Sequence, residues 1–126
     1  MIAFKIVRVE GNKLVSPLAD GSAKIIYTPG ETILAPEGTG IFGFDRLHRA
    51  RMYLDTMGWK LGDEYQLWRG EAFNKLPLPR YLVERVTSIQ RAREIWGREV
   101  VRRSGFSYWF PGTRAWKAIR LEKRLA

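Results

Sequence analysis

Between residues 98 and 124 the chain carries Arg98, Arg102, Arg103, Arg114, Lys117, Arg120, Lys123 and Arg124 against two carboxylates, Glu99 and Glu122. Phe106, Tyr108, Trp109, Phe110 and Trp116 are interleaved with them. Guanidinium and ammonium groups neutralise phosphates and release condensed counterions, and aromatic faces stack on exposed bases of any identity. Those residue types together point to nucleic acid, DNA or RNA, held mainly through phosphates with low base specificity. Read as a strand, the last segment puts Trp116, Arg120 and Arg124 on the side opposite Ile119 and Leu121, displaying a ring and two guanidiniums. The competing use of the rings is burial, with the arginines covering the rim of a core. The expected interface is Arg98, Arg102, Arg103, Arg114, Trp116, Lys117, Arg120 and Arg124.

Catalytic chemistry is harder to assemble. His48 is the single histidine, and it falls off the apolar stripe of its helix, where a side chain meets solvent. Ser16, Ser22, Ser88, Ser104 and Ser107 have no histidine near them in sequence, and no nucleophile-elbow motif occurs. Carboxylates are scattered singly apart from Asp63-Glu64, which suits a turn. With no cysteine, thiolate metal sites and disulfides are excluded. No catalytic residue, cofactor or metal is therefore expected.

"GTGIFG" at 38–43 matches the G-x-G-x-x-G of dinucleotide sites. Such a site needs a strand leading straight into the first glycine and a helix beginning inside the motif. Here Pro36 and Glu37 precede it, Ile41 and Phe42 are bulky, and Phe44 continues a strand pattern. No dinucleotide is expected to bind.

Composition sets the frame. The chain has 126 residues, 45% of them hydrophobic and 28% charged, within the range of one soluble globular domain. No apolar run reaches a membrane span and the first residues lack the features of a signal peptide, so an intracellular, cytoplasmic protein is expected. The net charge of +9 lies almost entirely in the second half, a one-sided field that favours polyanions. Asparagine, glutamine and cysteine are scarce, which fits a thermophile.

The elements follow from local signals. "IAFKIVRVE" and "KLVS" flank Gly11-Asn12 as a hairpin. "AKIIYT" reads as a third strand closed by Pro29-Gly30, and "TILA" as a fourth. "GIFGF" is strand-like. Asp45 is expected to cap a helix over 45–57, with Leu47, Ala50, Leu54 and Met57 on its apolar face and Gly58 ending it. "EYQLWRGEA" reads as a strand. Thr87 and Gln90 have capping-box spacing ahead of "IQRAREIW", with Ile89, Trp96 and Val100 on one face. "FPGTRAWKAIRLEKRLA" is a turn followed by a strand. With no β–α–β alternation, the expected fold is α+β, a mostly antiparallel sheet with two helices packed on it in one compact domain over 1–126.

The segment "GTGIFGFDRLHRARMYL" resembles the part of ADP-ribosyltransferases in which a Gly-Ile-aromatic strand precedes a helix carrying a small residue and a tyrosine. It covers about 17 of 126 residues, and the first-strand His-Gly-Thr and a placed catalytic glutamate are missing. Granted that fold, Arg8 or Tyr27 would take cofactor roles. A wider pattern is similar to small uncharacterised proteins of archaea, bacteria and their viruses. It comprises the opening hairpin, Tyr27-x-Pro29-Gly30, Gly40-Ile41-x-x-Phe44 with its helix, and Pro111-Gly112-Thr113. It implies one α+β domain and a viral source, with the host cytoplasm as location. The leading expectation is a small basic binding protein that contacts nucleic acid mainly through phosphates. Its rivals are a divergent ADP-ribosyltransferase-like domain and a viral or structural interaction protein without catalytic activity that forms a homo-oligomer.

Overall fold

A computed structural model describes residues 1–79, 86–97 and 109–126. A hairpin of unequal arms opens the chain's architecture: β1 (Ile2–Glu10) turns at Gly11-Asn12 into the short β2 (Lys13–Val15). Gly11 takes φ +61°, a left-handed conformation that glycine adopts without a Cβ penalty. The hairpin pairs Glu10 with Lys13 and Arg8 with Val15. β3 (Ile26–Tyr27) adds to β2.

β4 (Thr32–Leu34) does not continue that meander. It crosses over to pair with the last strand, β7 (Thr113–Arg124), through Ile33↔Ile119. β5 (Ile41–Phe44) also pairs with β7, and meets β1 at Phe4↔Phe44. β6 (Tyr65–Leu76) lies between β1 and β7, antiparallel to both. The four strands β1, β6, β7 and β5 thus form a closed ring. Closure removes most exposed strand edges. At Gly70 a register shift bends the β6–β7 ladder, and a Cβ there would run into the backbone carbonyl of Arg120. The fold is α+β with a mostly antiparallel sheet, as the element pattern suggests.

Strand alternation assigns the two sides of the ring. Ala3 and Val7 point inward with Ala72, Ile119 and Leu121, and Ile41 and Trp116 belong to the same buried cluster. Ile6, Leu67 and Phe44 point outward and are covered by α1 (Leu47–Met57) through Ala50 and Leu54. Met57, expected on that apolar face, is 42% exposed. Gly58 ends the helix at φ +68°. Asp45 does not cap it: the N-cap is Arg46, which makes no side-chain capping bond. The Asp45 carboxylate turns instead to Arg114, at 3.0 Å, because a full ion pair outweighs one capping hydrogen bond.

α2 (Ile89–Trp96) is capped by Ser88, whose hydroxyl accepts the Arg91 N–H at 3.1 Å, rather than by Thr87. Its buried residues Ala92 and Ile95 close a small cluster with Ala23 and Val86. Val100, read onto the same face, lies outside the described residues. No helix among the described residues is long and apolar enough to cross a membrane.

Leu54 is 4% exposed, so Leu54→Ala should cost about 2–5 kcal/mol of unfolding free energy. Exposed Arg51 on the same helix should tolerate alanine within about 0.5 kcal/mol. Urea denaturation of both variants checks the register of α1, and equal losses would contradict it.

Candidate nucleic-acid interface

Of the eight residues expected to contact nucleic acid, Arg98, Arg102 and Arg103 lie outside the described residues. The other five sit on β7, but they do not converge. Ten residues of strand separate Arg114 from Arg124, about 33 Å at the usual rise. Arg114 is engaged with Asp45 and with the Thr113 carbonyl. Half-buried Lys117 lies between Trp116 and Ala118, both in the core. Arg120 is paired with Glu122 at 3.3 Å and lies over the Phe73 ring, 5.5 Å from its centroid. Exposed Arg124 donates to the Ala126 carbonyl at 3.3 Å.

Trp116 corrects the expectation most sharply. It is fully buried, with Ile41 directly opposite and its ring against Gly43. Its Nε1–H donates to the Met1 sulfur at 3.2 Å. No base can stack on it. Trp109 stacks on Phe42 and donates its Nε1–H to the Pro79 carbonyl at 2.8 Å, and Phe110 packs edge-on to Phe44 and Tyr53. The described rings of this region serve packing, as the competing reading of the sequence had it.

A cation that the sequence places far away joins the remaining charges. Arg69 on β6 is registered directly opposite Lys123 on β7, and both are exposed. Neither forms an ion pair with a carboxylate among the described residues. Like charges directly opposite on a sheet repel. In the neighbouring row Arg120 faces Glu71, but Glu71 is held by the N-terminal ammonium at 2.8 Å. That hydrogen bond keeps the Glu71 carboxyl below its ordinary range. Arg69, Arg120 and Lys123 therefore line one side of the longest ladder, with both nearby carboxylates already committed. No spacing rule could have brought in Arg69, since only the β6–β7 register places it there.

The opposite charge economy holds at the N-terminal hairpin. Arg8 is bonded to Asp20 at 2.6 Å and to Glu10 at 3.3 Å, and Lys24 to Glu10 at 2.7 Å. Tyr27 is buried. The glycine loop has a packing role: Thr39 donates both its N–H and its hydroxyl to the Pro36 carbonyl, and no helix begins inside the motif. A Cβ on Gly40 would lie 2.6 Å from the Trp96 ring. His48 is exposed. Comparisons with protein-family models, with curated proteins and with solved structures return no match to this chain.

Proposed function

We propose that the protein is a binding module that holds nucleic acid through its phosphates, using the outer side of the β6–β7 ladder. The observation that carries this reading is the forced apposition of Arg69 and Lys123 beside Arg120, two of them without an ion pair among the described residues, while Glu71, the carboxylate close to Arg69 and Arg120, is shared with the N-terminal ammonium. A polyanion laid along the ladder relieves the apposition, and each neutralised phosphate releases counterion. With Trp116 buried, the described surface offers no stacking platform. The reading is therefore one of backbone contact, indifferent to base identity and without preference for single strands.

Anisotropy titrations with a labelled duplex and a single strand of equal length test this near physiological ionic strength. Three to five contacts should give a slope of log K against log salt between roughly −2 and −4.5. The double variant Arg69→Ala/Lys123→Ala should flatten the slope by about 1.5 and weaken both ligands alike. Undetectable binding, or binding unmoved by that variant, would pass the lead to the interaction-protein reading, which a stable oligomer in sedimentation would then support.

A further inference from the structure

Lys5 is the one lysine in the interior among the described residues. It sits on β1 between Ala3 and Val7, on the inward side, and is 5% exposed. Its Nζ donates to the Phe42 carbonyl at 2.6 Å and lies 5.6 Å from the centre of the Tyr27 ring. An ammonium has three N–H donors, and the described residues accept one of them. No described carboxylate pairs with it. Buried charges are almost always paired, because an uncompensated one costs several kcal/mol.

The ammonium borders a cavity of about 640 Å³, within the range of small-molecule sites. Its walls come from β5, α1, α2 and the turns around them and are overwhelmingly apolar. Phe42 stacks with both Trp96 and Trp109, with centroids 4.7 and 4.8 Å apart, and forms an aromatic wall. Ile95, Ala92 and Val86 supply aliphatic surface. Polar groups are few: Lys5, Ser16, Tyr27 and the threonines 39 and 113. Ser16 already shares hydrogen bonds with the Ile25 backbone and engages the Tyr27 phenol, Thr39 bonds to Pro36 and Thr113 to Phe110. The free hydrogen-bonding capacity is thus concentrated at one cation.

We propose that this cavity is a binding site for a small molecule with an apolar body and a single carboxylate, the carboxylate being received by Lys5. An apolar body matches the walls, and one anion matches one cation. A dianion such as a phosphate monoester would leave charge uncompensated, since no second cation lines the cavity among the described residues. A neutral apolar molecule would fill the space and leave the ammonium bare. The cavity takes no residue from β6 and only Thr113 from β7, so it is separate from the Arg69–Lys123 stretch of the β6–β7 ladder.

The proposal carries a proton signature. Burial lowers the Lys5 pKa from 10.5 to about 7. Among the described residues, the titratable group facing it is Tyr27 from β3, whose phenol burial raises above its ordinary value. β2 presents Ser16, and β5 presents the Phe42 carbonyl and Gly43. A carboxylate binds the protonated amine, so above pH 7 each bound ligand must bring a proton with it. Affinity should then fall by up to about tenfold per pH unit above 7.

Decanoate and 2-naphthoate serve as probes, with decanol as the neutral control. They are followed by tryptophan fluorescence and by calorimetry in buffers of different ionisation enthalpy. At least one carboxylate should saturate at pH 6, bind at least about tenfold tighter than decanol, and take up a proton at pH 8. Lys5→Met should weaken it by at least about fiftyfold while leaving decanol binding intact. Failure of both carboxylates to saturate overturns the proposal, as does equal binding by Lys5→Met. Should that variant not fold, the wild type decides alone: affinity flat between pH 6 and 9 overturns the proposal.

Discussion

Replacing Lys5 by methionine is expected to stabilise the protein by about 4–5 kcal/mol near pH 6 and by little near pH 10.5. The shift from 10.5 to about 7 has desolvation as its cause, and each unit is worth about 1.4 kcal/mol. Below pH 7 the amine is protonated in both the folded and the unfolded chain, so the full cost of burying the charge is present. Between pH 7 and 10.5 the unfolded chain binds the extra proton, and wild-type stability rises with pH. Above 10.5 both states are neutral and the cost is gone. Methionine fills nearly the same volume without a charge. Buried Tyr27 acts in the opposite sense at high pH, because its raised value stabilises the fold only until the unfolded phenol ionises. It is common to both proteins and cancels in their difference. Urea denaturation of wild type and variant at pH 6, 8 and 10 checks the result. A difference independent of pH would show that Lys5 is solvated.

Trp116→Ala should cost about 3–5 kcal/mol. Its side chain is the largest of those fully buried, and three elements close on it. Ile41 on β5 and Lys75 on β6 are its register partners, and the N-terminal methionine accepts its indole N–H. Alanine would leave a cavity at the ring junction between β5 and β7 and remove the partner of Met1. Truncating an exposed tryptophan would cost within about 0.5 kcal/mol, so the experiment separates the two placements cleanly. The denaturation midpoint should fall with the slope m unchanged. In the folded fraction the salt dependence of nucleic-acid binding should stay as in the wild type. A loss confined to single-strand binding, with stability intact, would return the ring to the surface.

Features built from neighbours in the chain were legible without coordinates. Gly11-Asn12 dictates a tight turn between two β-branched runs, and the hairpin forms as read. Gly58 ends α1 in a left-handed conformation because glycine bears no Cβ, and "IQRAREIW" forms α2. The absence of β–α–β alternation pointed correctly to a mostly antiparallel sheet. Capping was less secure, since Asp45 and Thr87 were plausible by type while Arg114 and the Ser88 hydroxyl settled the competition.

What tertiary structure alone decided is which side of each strand is covered. Alternation put Arg120 and Trp116 at even spacing on β7, but it carries no information on what lies above either side. The crossing of β4 and the closure of β5 onto β1 bury Trp116 and leave Arg120 half-exposed. The β6–β7 register brings Arg69 to Lys123 across more than fifty residues of chain. Nothing in the local sequence around Lys5 marks it as buried. Ring closure turned its side inward, where burial rather than sequence neighbours sets its charge. Period and turn chemistry are local energies written residue by residue, whereas register, closure and desolvation are collective and exist only once distant strands have met.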